Sequence, residues 1–155
     1  MDEKTQILTI LESARQSLSR MFADVSEEQA RATPTASALC LGGILKHVTY
    51  GETIWVDFIV DGQKTDDLDR YFASFRMEPG ETVTSLLDDY AAAAKLTEEV
   101  IAGLPDLDTA YQLPEAPWYP PGAAWNAREV LLHLLHETAQ HAGHADIIKE
   151  SLGAR

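Results

Sequence analysis

The stretch from Trp125 to Leu152, WNAREVLLHLLHETAQHAGHADIIKESL, repeats its apolar residues at the period of an α-helix. At about 100° per residue, Leu131, Leu134, Leu135, Thr138, Ala142 and Ala145 fall on one stripe. His133, Glu137, His141 and His144 line up along the adjoining edge. Asn126 and Glu129 stand at capping-box spacing and open this helix. A helix of this kind must bury its stripe against other helices; the stretch holds four of the chain's five histidines, His133, His136, His141 and His144, and three of them lie on that edge.

Three further segments supply those partners. Residues 4–22 place Ile7, Ile10, Leu11, Ala14, Leu18, Met21 and Phe22 at helical spacing. Residues 38–60 put Ile44, His47, Val48, Gly51, Trp55, Phe58 and Ile59 on an inner side, and Asp61-Gly62 stops the helix. Residues 81–103 turn Val83, Leu86, Leu87, Tyr90, Ala94, Val100, Ile101 and Leu104 inward, with Gly103 and Pro105 ending the run. Gly42 and Gly43 are poor helix formers, explained by close packing or by ligand access. Short helical turns are expected after Ser26 and around 68–75, inside a polar, irregular stretch over 61–80. Residues 105–124 carry five prolines with Trp118 and Tyr119, a long connection that is either a binding loop or a packed crossover. The expectation is an all-α fold: one domain over 1–155, a four-helix bundle about 30–38 Å long, with a long Pro-rich connection before the last helix.

The formal charge of −13 and the lack of Lys/Arg clusters argue against binding to nucleic acid or to an anionic membrane. The most apolar patch, Ile54–Val60, is interrupted by Asp57 and too short to span a bilayer. Cys40 is the one cysteine, so no intramolecular disulfide forms, and the acidic start MDEKTQ has no apolar signal core. A reduced, cytoplasmic setting is expected. Cys40 near a helix start reads as a small packing residue, or as a thiol activated by the helix dipole.

Glu137 and His141 are four apart, so carboxylate and imidazole point to nearly the same place and can chelate a divalent metal; the same spacing also occurs on solvated helix faces. Two ligands do not close a site. His47, alone in another apolar stretch, is the candidate third, although a lone buried histidine is more often a hydrogen-bonded core residue. Three ligands would leave one coordination position open to water or substrate. Zinc, nickel, iron and manganese all suit two histidines and a glutamate. His136-Glu137 followed by His141 is not the metalloprotease helix motif, whose histidines are four apart. Nor are there two Glu-x-x-His pairs for a di-iron bundle, since Gln140 stands at that offset from Glu137. Trp55, Trp118, Tyr119 and Trp125 are either core or the lining of a pocket beside the metal.

The segment LGGILKHV at Leu41–Val48, combined with LLHLLHETAQHAGHAD in the last helix, resembles the DinB-like superfamily of small metal-binding bundles. That superfamily includes mycothiol-dependent maleylpyruvate isomerase and bacillithiol S-transferases. The resemblance implies an up-down-down-up bundle with one central metal, its ligands matching His47, Glu137 and His141. His144 falls in a G-H-A-D segment and is implied to stand behind the ligands or in the pocket, with a ligand role as the alternative; His133 and His136 are implied at the pocket edge or surface. The activity implied is metal-dependent S-transfer or thiol-assisted isomerisation, with mycothiol or bacillithiol as the thiol and an electrophile as second substrate, in a protein that forms a homodimer by family habit. Two other functions stay open: a non-catalytic structural or ligand-sensing metal module, and a hydrolase using metal-bound hydroxide.

Overall fold

The computed structural model describes residues 1–62 and 67–153. The irregular stretch expected over 61–80 lies partly outside the described residues, at 63–66. The chain is mostly helical: α1 (Glu3–Ser19), α2 (Glu27–Arg31), α3 (Leu41–Asp61), α4 (Leu68–Ala73), α5 (Val83–Gly103) and α6 (Ala127–Ser151), with a 3-10 turn over Arg20–Phe22. Its start signals are side-chain caps that satisfy otherwise orphaned N–H groups. Asp2 accepts from Thr5 N before α1, and Ser26, Thr82 and Asn126 build capping boxes before α2, α5 and α6. Cys40 is 5 % exposed, and its Sγ accepts from Gly43 N at 3.3 Å as the N-cap of α3, so the thiol packs and caps. Gly62 ends α3 in the left-handed conformation, φ 69°.

The long helices pack in pairs: α1 on α6, α3 on α5, α3 on α6, and α1 on α5. Their end contacts set direction. Glu3 pairs with Arg128 at one end of α1, while Lys149 Nζ donates to Ala23 O beyond its other end. Lys4 meets the Leu104 carbonyl just past α5.

The interior is stacked in three levels. One apolar cluster gathers Leu18, Phe22, Ile44, Val48, Leu86, Tyr90 and Ile148; another gathers Leu11, Trp55, Phe58, Ile101, Leu131 and Leu134. Between them lie buried polar residues, one from each long helix: Arg15, Glu52, Thr97 and Thr138. Arg15 binds both carboxylate oxygens of Glu52, and Thr97 Oγ1 donates to the same carboxylate at 2.5 Å. This layer departs from the expected face of the first helix. Ile10, read as inward, is 56 % exposed, and Arg15 takes the inner position between Leu11 and Leu18. In the last helix Val130 and Ile148 join the buried stripe, whereas Leu135 and Ala142 are only partly covered.

The connection over 105–124 adds a small two-stranded sheet to the mostly helical chain. Ala110–Gln112 (β1) pairs antiparallel with Ala124–Asn126 (β2), Tyr111 opposite Trp125. Leu107 and Leu113 are buried in the core and pin the connection to the bundle, while most of its other residues are exposed. Its tip is open to solvent, with Trp118 61 % exposed. Three-residue strands have too little alternation to read from sequence.

Gly43 is explained by close approach. A Cβ there would lie 2.0 Å from the Phe75 carbonyl oxygen, and one at Gly42 would meet Met77 Sδ at 2.6 Å. The segment after α4 therefore rests directly on the first turn of α3, which brings Ser74 and Phe75 against His47.

Candidate metal centre

His47 on α3 and Glu137 and His141 on α6 come together where those two helices pack: one ligand atom from each lies within 4.8 Å of the others. The four-residue spacing sets Glu137 Oε2 3.7 Å from His141 Nε2. His47 and His141 are buried, their rings 5.0 Å apart, and Glu137 is half-buried.

The surroundings decide which nitrogen of His47 is available. Ser74 Oγ stands 2.9 Å from His47 Nδ1 and donates its only proton to the Tyr71 carbonyl at 2.6 Å. Toward the imidazole it can only accept, so Nδ1 carries the hydrogen and Nε2 keeps its lone pair. Phe75 stacks on the other side of the ring at 3.8 Å. Burial, together with the charge of His141, pushes His47 down to about 4 against the opposing pull of Glu137, so the ring is neutral at neutral pH. His141 holds the Glu137 carboxyl below its ordinary range, and His133 and His47 act in the same direction against desolvation. Behind the cluster, His144 Nδ1 lies 3.5 Å from His141 Nδ1. When His141 offers Nε2, its Nδ1–H donates to His144, which orients the ring.

Two lone-pair imidazoles and an ionised carboxylate suit a divalent cation, and the partners of the two histidines hold the tautomers such a cation needs. The cluster is open on one side. His47 and Glu137 line a cleft of about 490 Å³, walled by Trp55, Tyr71, Phe72, Trp118, Tyr119 and His133 among others.

The other expected residues divide by position. Trp55 is buried and stacks on Trp125 at 4.8 Å, and His133 meets both rings at 5.1 and 5.2 Å, which places it on the cleft wall. The His136 side chain is 71 % exposed, with Nδ1 3.7 Å from Glu137 Oε1, and it is not among the three residues whose ligand atoms come together. Sequence reasoning missed Ser74, Tyr71 and Phe75. The available signal was Asp67, an N-cap accepting from Arg70 N, followed by three aromatic residues within a polar stretch.

A helical protein with a His/Glu/His cluster that could hold a metal ion at the side of a cleft is the class that this fold and site define. Residues 6–154 match the family described as mycothiol-S-transferase, and the chain belongs to that DinB-like family. A crystal structure described as the conserved protein of locus from Enterococcus faecalis is similar, with a TM-score of 0.72 at 13 % identity, covering 100 % of this chain and 99 % of that one. At that identity the likeness shows the fold alone. No curated protein matches the sequence. Among the described residues, no helix is long and apolar enough to cross a membrane.

Proposed function

We propose that this protein is a metal-dependent S-transferase that joins a low-molecular-weight thiol of the mycothiol type to an electrophile. The observation that carries the reading is that His47 and Glu137 belong both to the three-residue cluster and to the wall of the cleft. A purely structural metal is enclosed by its protein ligands, whereas here two of the three ligands line a cavity large enough for small molecules. The family supplies the thiol.

In this reading His47, Glu137 and His141 hold one divalent cation, with zinc, nickel, iron and manganese all suited to the donor set. When bound, the cation favours the deprotonated form of a thiol at its open position, and so supplies a thiolate at neutral pH. The protein's part is orientation. Ser74 fixes His47 with Nε2 toward the cluster, His144 does the same for His141, and the cleft walls limit water around the reacting sulfur. The fold that supports it is one domain, an up-down-down-up bundle of α1, α3, α5 and α6. The end contacts support that order: α1 and α6 meet at matching ends, and the start of α1 meets the end of α5.

The test is metal content and thiol conjugation in one set of proteins. The parent should carry about one equivalent of metal and accelerate mycothiol conjugation, while chelated protein should not. His47→Ala and His141→Ala should lose the metal, since a bidentate remnant is weak, whereas His133→Ala should keep it. Metal retained by His47→Ala but lost by His133→Ala would replace the proposed centre with a surface cluster. Full metal with no thiol conjugation would leave the centre and remove the transferase.

A further inference from the structure

Tyr71 joins α4 to the candidate centre twice. Its carbonyl takes the Ser74 proton at 2.6 Å, which fixes the hydroxyl that holds His47. Its ring stands edge-on to His47 and to Phe75, both at 5.4 Å, and to Phe72 at 5.3 Å. These contacts cover the body of the ring, yet the residue is 41 % exposed and belongs to the cleft wall, where Phe72 and Trp118 stand exposed at the mouth. The phenol tip is the part left to the cleft, and among the described residues it has no hydrogen-bond partner. The neighbouring donors are committed: Tyr50 Oη gives its proton to the Asp67 carbonyl at 3.4 Å, and His47 Nδ1–H goes to Ser74.

We infer that Tyr71 is a catalytic acid of this site: its phenol protonates the oxygen released when the thiolate opens a three-membered cyclic ether. This deepens, and rests on, the S-transferase reading. The step balances without a further reactant. The thiolate sulfur forms a C–S bond at the terminal ring carbon, and the C–O bond breaks with its electron pair left on oxygen. That oxygen takes the Tyr71 proton, and the proton given up by the thiol returns to the phenolate through solvent. An alkoxide is a stronger base than a phenolate, so the transfer runs downhill. A halide leaves as a stable anion and needs no proton, which confines the role of Tyr71 to oxygen leaving groups.

The test compares the metal-loaded full chain with Tyr71→Phe, using mycothiol and two electrophiles, 1,2-epoxybutane and 1-iodobutane. Phenylalanine keeps the ring and the backbone carbonyl, so metal content and helical circular dichroism should match the parent. The kcat for the epoxide should fall about 100-fold, while that for the iodide should stay within about twofold. The two products differ by one hydroxyl and serve as binding probes. By calorimetry the parent should hold the 2-hydroxybutyl conjugate about fivefold more tightly than the butyl conjugate, and Tyr71→Phe should hold them alike. Equal loss on both electrophiles, no loss on either, or a parent that accepts the iodide and not the epoxide would overturn the acid and leave the transferase standing. A hydroxyl preference that vanishes in Tyr71→Phe, with neither electrophile conjugated by the parent, would keep Tyr71 as the partner of the hydroxyl and remove the transferase reading.

Discussion

Ser74 Oγ accepts a hydrogen bond from His47 Nδ1 at 2.9 Å because its own proton is committed to the Tyr71 carbonyl. One hydroxyl thus selects the tautomer of a histidine 27 residues earlier in the chain. Ser74→Ala should leave a buried N–H without that acceptor and free the ring to turn. Partners of this kind contribute about 10–100-fold to metal affinity. We expect a loss in that range by chelator competition, with little change in helix content. Unchanged affinity would mean that Phe75 stacking alone orients the ring.

Gly43 and Gly143 should respond to alanine in opposite directions. At Gly43 the new methyl meets the Phe75 backbone, which cannot swing aside as a side chain can. Overpacking of this kind costs about 1–3 kcal/mol, and it should also disturb Ser74 and lower metal affinity. At Gly143 nothing lies within 4 Å, so Gly143→Ala should add about 0.5–1 kcal/mol from helix propensity alone. Urea denaturation of the two variants measures both signs.

Glu52 and Arg15 form a buried pair, their side chains 2 % and 3 % exposed. Glu52→Ala strands the guanidinium among apolar neighbours, a change that costs about 3–5 kcal/mol in comparable sites. Glu12 and Glu98 approach Arg15 at 3.5 and 3.7 Å from more exposed positions, which favours the lower end. The double replacement Arg15→Met with Glu52→Leu removes both charges and should recover most of the loss. If the double variant is as unstable as Glu52→Ala, the layer is held by geometry more than by charge compensation.

The pair between Glu3 and Arg128 gives a pH signature. Arg128, bonding to Glu3 through Nε and Nη2, holds the Glu3 carboxyl below its ordinary 4.5. A depressed carboxyl contributes stability that is present above the unfolded value and lost as pH falls through the folded one. Glu3→Gln should therefore melt below the parent at about pH 7 and level with it at about pH 2–3. Both groups are exposed, so the gap should be small and should shrink in high salt. A gap that persisted in acid would trace to packing instead of charge.

The periodicity of the long helices and the Asn126–Glu129 cap were legible because both are local, set by residues within a turn or two. The adjacency of Glu137 and His141 was legible for the same reason. Their union with His47 depends on how α3 and α6 pack side by side, which no short-range pattern encodes; His47 was a candidate as the lone histidine of another apolar stretch, and the resemblance matched it. Ser74 was illegible because its partner lies across the fold, and a serine after a short turn has many other uses. Arg15 and Glu52 were illegible because each alone reads as a solvated charge; burial becomes tolerable only when the packed helices bring them together with Thr97. Sequence by itself determined the long helices and two of the three candidate ligands, since a helix needs only its own backbone period. The third ligand, its tautomer, the polar layer and the aromatic mouth were decided by tertiary structure, because each is a contact between segments whose separation along the chain carries no distance information.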